Sequence, residues 1–228
     1  KVIRPNMSGY GKLSGECFFN AKRLYAALVC LNIENLPFFV VPLVPIPAIQ
    51  QGLSPAKVQQ QYEFIRDRIV QVTNEQLLSD PEAFALFKEL GGDQTIITYM
   101  YNYYNANKVP NSDMKKVNDM NDAVYRAFSY KPGENNTQQT EIVVTSSAFT
   151  REVDGSYLVD SLRKRLGVTD ANNYDAPINF IISTIMNPWL SNTVKGSFIP
   201  KLISIITKNV SKIVSQIKNQ PASEPVNV

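Results

Sequence analysis

Four prolines inside one apolar run do most to restrict how this chain can fold. Leu36 to Ile49 reads LPFFVVPLVPIPAI, a stretch apolar enough for a core, yet Pro37, Pro42, Pro45 and Pro47 interrupt it. Proline has no backbone N–H to give to a neighbouring strand, so the segment is expected to be an edge strand or an irregular connector, never a central strand. The run comes closest to the roughly 18 uninterrupted apolar residues of a membrane-spanning helix and still falls short. No membrane association is expected.

Helical and strand-like patterns alternate around this run. Phe18, Ala21, Tyr25 and Leu28 recur at helical spacing after a loop through Gly15 and predict an amphipathic helix of about 14 residues. Ser54 with Pro55, and Asp80 with Pro81, are N-cap and first-turn pairs for two more helices, one with Val58, Tyr62, Ile65 and Ile69 buried, the other with Phe84, Phe87 and Leu90 and a stop at Gly91 and Gly92. Thr95 to Tyr104 reads as a strand. Ser112 or Asp113 opens a helix carrying Val117, Met120, Val124 and Phe128, and Lys131 to Thr140 is a surface loop by composition. A strand over Ile142 to Phe149, a helix through Leu158, Leu162 and Leu166, a strand over Ile178 to Met186 and a helix over Phe198 to Ile217 follow. Such alternation predicts an α+β fold: a small, mostly antiparallel sheet with helices packed on one face, plus N-terminal helices. One domain spanning 1–218 is expected, with 1–50 either part of it or an N-terminal appendage, and 219–228 as a flexible tail.

Chemistry is limited by what is missing. There is no histidine, so an imidazole-based hydrolase triad is excluded, and Cys17 and Cys30 alone do not make a zinc site. Thirteen helical steps would hold these two thiols about 20 Å apart, beyond disulfide reach, which points to a reducing, cytoplasmic setting. Net charge is only +3, from 23 basic and 20 acidic residues mixed along the chain, so no nucleic-acid partner is expected; the densest basic cluster, Arg163, Lys164 and Arg165 beside Arg151, reads as a solvated helix face. Asp119 and Asp122 share a helix face near Lys115, Lys116 and Arg126, and read as surface charges and not as a catalytic or metal pair. Sequons at Asn6, Asn135 and Asn209 are as many as this composition yields by chance. The opening residues KVIRPNMSGYGKLSG do not read as a secretory signal; they fit a truncated, processed or first-ordered terminus. Alternation places Tyr99, Tyr101 and Tyr103 on one strand face, either as core or as a stacking platform for a sugar, base or aromatic ligand.

Ile178 to Trp189 (INFIISTIMNPW) resembles a substrate-binding strand of the group II pyridoxal-phosphate-dependent amino-acid decarboxylases, of microbial and fungal type. Six further blocks occur in the family's order: Leu36 to Ile49, Gln61 to Gln76, Asp80 to Asp93, Asn118 to Tyr130, Glu141 to Phe149 and Tyr157 to Val168. The resemblance covers roughly residues 10–218 and implies the family's C-terminal small domain without its large domain. Where the family pattern F-x-x-R supplies an arginine for the substrate carboxylate, this chain has Phe180 followed by Ser183, and no arginine occurs after Arg165. A serine offers neither charge nor a two-pronged donor. The resemblance implies that the Schiff-base lysine and the cofactor-stacking histidine sit in the absent large domain. The chain alone is therefore expected to have no catalytic, cofactor-binding or metal residues, Ser183 being a degenerate substrate-carboxylate position. Pyridoxal phosphate would come only with a large-domain partner chain. A stand-alone binding, storage or defence protein reusing the fold is the alternative, and self-association fits either.

Overall fold

A computed structural model of the chain describes residues 6–129, 142–169, 171 and 174–219. The expected loop 131–140 with Asn135, and all of the expected tail except Asn219, lie outside them. The fold is α+β. Four strands, β1 (Phe38–Pro42), β2 (Ile96–Tyr103), β3 (Thr145–Phe149) and β4 (Ile178–Thr184), form one antiparallel sheet in the order β1-β2-β4-β3.

The proline-bearing segment is the edge strand, and the reason is visible in its pairing. Leu43 N–H donates to the Thr98 carbonyl at 2.8 Å and Tyr104 N–H to the Pro37 carbonyl at 2.9 Å, so alternate residues of β1 turn their polar backbone groups toward β2. Pro42, which pairs with Tyr99 out of that phase, points its N–H-less side to the open edge. At that edge Asn32 stands in for a missing strand: its Oδ1 accepts from Val40 N–H at 2.7 Å and its Nδ2 donates to the Val40 carbonyl at 2.8 Å. Across the sheet the device is repeated. The pairing with β4 ends at Tyr99, and beyond it Asn121 Oδ1 accepts from Tyr101 N–H while Nδ2 donates to the Tyr101 carbonyl, both at 2.9 Å. Backbone groups removed from water must find partners, and two asparagines supply them.

Both parities of the central strands are apolar, so both faces are covered. Phe38, Val40, Tyr99, Tyr101, Tyr103 and Ile181 face a main core built with α1 (Tyr10–Cys30), α6 (Met114–Phe128) and α9 (Ile199–Asn219). Phe39, Val41, Met100, Ile178 and Phe180 face a second, smaller core closed by α8 (Ser156–Leu166) and the first turn of α6. This second layer goes beyond the expectation of helices on one face. Residues 10–50 contribute α1 to the main core and β1 to the sheet, instead of forming an appendage.

Several local expectations shift. α1 starts at Tyr10, so the expected loop through Gly15 is helical; its end from Asn20 to Cys30 is almost wholly buried, and adding turns to a helix already held by packing costs little. α3 (Pro55–Ile65) begins with proline at its first position, Ser54 making no side-chain cap, and runs into a π turn over Arg66–Val70. A short helix, α4 (Asn74–Ser79), was not expected, although Thr73 and Gln76 form a reciprocal capping box at its start. Asp80 caps α5 (Pro81–Glu89) as expected. Two other short helices, α2 (Pro47–Gln50) and α7 (Arg151–Asp154), complete the α-helices of the described residues, beside 3-10 turns at Leu31–Ile33 and Ala106–Lys108.

Candidate functional site

Ser183 lies near the end of β4, paired with Ile97, and faces the main core at 8% exposure. Its Oγ is 2.8 Å from Tyr99 Oη. Tyr99 is 2% exposed, and burial raises its pKa while the bond to Ser183 acts the other way. Tyr101 and Tyr103 follow on the same face at 0% and 4% exposure, and the Tyr99 and Tyr101 rings meet edge to face at 5.5 Å. The three tyrosines are core residues, and none offers a ring face to solvent. Burial also pushes the Tyr101 hydroxyl well up, and the neighbouring Tyr99 acts in the same direction.

The arrangement cannot hold a carboxylate. The Ser183 hydroxyl is occupied by a neutral phenol, and charge-assisted recognition needs a cation that this strand does not supply. The hydroxyl pair is instead a small stabilising contact. Ser183→Ala is expected to cost about 1–2 kcal/mol, because Tyr99 keeps a buried hydroxyl without a partner, and adding Tyr99→Phe should recover part of that loss. A urea-melt double-mutant cycle checks this; additive losses would mean that the two hydroxyls do not interact.

The other sequence candidates are taken up structurally. Arg165 donates to the Leu43 carbonyl at 3.1 Å and to that of Pro42, Arg151 pairs with Asp160 at 2.6 Å over the Tyr174 ring, and Arg163 is buried, so no continuous basic face forms. Asp119 pairs with Lys115 at 2.7 Å, and Asp122 accepts from Asn179 Nδ2 at 2.9 Å. No group of three or more metal-ligating side chains occurs among the described residues. Cys17 and Cys30 are buried and unpaired, and burial pushes the Cys30 thiol up to about 12. Lys22, the amine drawn into the body, donates to the Lys88 and Leu90 carbonyls at 2.9 and 2.8 Å and pairs with Asp93 at 3.2 Å, an arrangement that does not fit a Schiff-base lysine.

A sizeable concavity lies elsewhere. A cleft of about 960 Å³ separates α1, the π turn and α9; Ala27, Cys30, Leu31, Val70, Ile199 and Ile203 line its apolar interior. Arg23, 6% exposed, forms part of its wall and donates to the Ile69 and Val72 carbonyls. Close to Arg23 the frame is fixed by a directed chain of hydrogen bonds. Asn20 Nδ2 donates to the Asn187 carbonyl at 3.0 Å, the Ser191 hydroxyl donates to Asn20 Oδ1, and Asn74 Nδ2 donates to Ser191 Oγ at 3.0 Å. These bonds tie the loop after β4 to α1 and α4. Sequence reasoning missed the cleft. The signal present was Asn20 and Arg23 at helical spacing with Ala27 and Cys30, polar groups inside an apolar stripe.

No helix among the described residues is long and apolar enough to cross a membrane. No family model matches the chain, and no curated protein matches it.

Proposed function

We propose that this chain is a decarboxylase-like C-terminal region, not catalytic alone, that keeps the small-domain architecture and depends on a large-domain partner for chemistry. In that reading the partner chain supplies pyridoxal phosphate, the Schiff-base lysine and the stacking histidine, and lyase activity belongs to the assembly. One observation carries it. Between β4 and α9, immediately after the strand bearing Ser183, Met186, Trp189, Val194 and Phe198 stand 70%, 63%, 108% and 45% exposed. Four large apolar side chains exposed along one segment are what a surface covered by another protein body would present. The burial of Ser183 agrees with the loss of a substrate-binding role. The two free thiols favour a reducing, cytoplasmic setting, self-association is the other way to cover the segment, and a nucleic-acid partner is not part of this reading.

Intact mass and visible absorption measured together on the natural protein test it. A yellow aldimine chromophore travelling with a larger partner chain is the expected result. A colourless species of 25.6 kDa on its own would sink the reading. The second reading, a stand-alone binding protein, is favoured by the cleft, whose size falls in the range of about 300–1,000 Å³ typical of small-molecule sites.

A further inference from the structure

The geometry points to an apolar carboxylate as the occupant of the cleft, its chain lying between α1 and α9 and its carboxylate at Arg23; this rests on the binding-protein reading. Arg23 is the decisive group. It carries a full positive charge at 6% exposure, and it makes no ion pair with any described carboxylate. Buried charges are ordinarily paired, because an uncompensated cation in a low-dielectric wall is costly. The carbonyls of Ile69 and Val72 occupy donors on both terminal nitrogens of the guanidinium and hold its plane in place, yet they bring only partial charge. Burial lowers its pKa, and no acidic neighbour acts against that shift.

The remaining walls fit the same ligand class. From Arg23 to Leu31 the wall on α1 runs about 12 Å, with Ala27, Cys30 and Leu31 along it, a length suited to an aliphatic chain or an aryl group. The opposite wall belongs to α9, which carries Lys201, Lys208, Lys212 and Lys218 and no acidic residue. Lys208 and Arg66 line the cleft together with Glu34 and Glu75, so the lining charges largely offset one another and Arg23, which has no acidic neighbour, sets the sign at its own end. An amine of the same shape would set its charge against the Arg23 guanidinium. An alcohol would keep the apolar contacts and lose the charge-assisted bonds.

Isothermal titration of the whole chain with octanoate, 1-octanol and octylamine tests the assignment. Octanoate is expected to bind at least about tenfold more tightly than 1-octanol, the difference a charged hydrogen bond makes, and octylamine more weakly than either. Ile203→Trp, which fills the cleft from α9, should abolish octanoate binding. Arg23→Gln should reduce octanoate to the affinity of the alcohol; if that variant does not fold, the acid and alcohol comparison on the unaltered chain still decides. Equal affinity for octanoate and 1-octanol overturns the carboxylate assignment and leaves the binding reading standing. No binding of any of the three overturns both.

Discussion

Asn121→Ala is expected to lower the unfolding free energy by about 4 kcal/mol, a large share of what holds a domain of this size together. Asn121 is 1% exposed, and its amide is the partner of both backbone groups of Tyr101, a residue in the middle of the sheet that is itself fully buried. Alanine removes that amide without admitting water, leaving a buried N–H and a buried carbonyl unpaired, each worth about 1–3 kcal/mol. A third bond, from Nδ2 to the Val117 carbonyl at 2.8 Å, matters less, because that carbonyl also serves the helix. Asn121→Asp keeps the acceptor for the Tyr101 N–H but turns a negative oxygen toward the Tyr101 carbonyl, so it should not rescue stability. Urea melts monitored by tryptophan fluorescence and by far-UV circular dichroism give the answer. A loss below about 1 kcal/mol in the alanine variant would mean that the strand beyond Tyr99 does not rely on this side chain.

Ser183→Arg is expected to be comparably severe, with a loss of more than about 4 kcal/mol and no gain of decarboxylation. Introducing the arginine that the decarboxylase pattern carries would put a long cation against Tyr99, under the main core, where no carboxylate waits for it. The cost combines overpacking with an unpaired buried charge. Near-UV circular dichroism should show loss of the tyrosine environment before any change in helix content. A variant that kept the parent's stability and gained affinity for amino-acid carboxylates would show that the strand still borders a substrate site, and the reading of Ser183 as core would fall.

Stability and binding pull in different directions at the cleft. Arg23, Asn20, Ser191 and Asn74 tie α1 to the π turn, to α4 and to the loop after β4, so substitutions there affect the frame and the concavity together. The apolar residues Ala27 and Ile203 line the space without taking part in that network. They are the better handles for separating ligand binding from folding.

Much of the fold was legible because its signals are local. Proline's missing N–H confines the Leu36 to Ile49 run to an edge or a connector, Asp80 caps the helix that follows it, Ser112 and Asp113 were the two caps open to α6, of which Asp113 serves, and the period of Val117, Met120, Val124 and Phe128 defines the buried side of α6. The same period-two pattern placed Tyr99, Tyr101 and Tyr103 on one face, but left open whether that face meets a ligand or a core. Only the packing of α1, α6 and α9 over it decided for the core. The partners of Asn32, Asn121 and Arg23 were likewise out of reach of the sequence, since each depends on contacts between segments 8 to 49 residues apart. By itself the sequence determined which segments could be helix, strand or edge, since propensity, capping and hydrogen-bond capacity belong to single residues and their near neighbours. Which polar groups replace absent strands, and where helices leave a cleft beside a buried cation, was decided by tertiary structure, because those depend on which distant surfaces exclude water together.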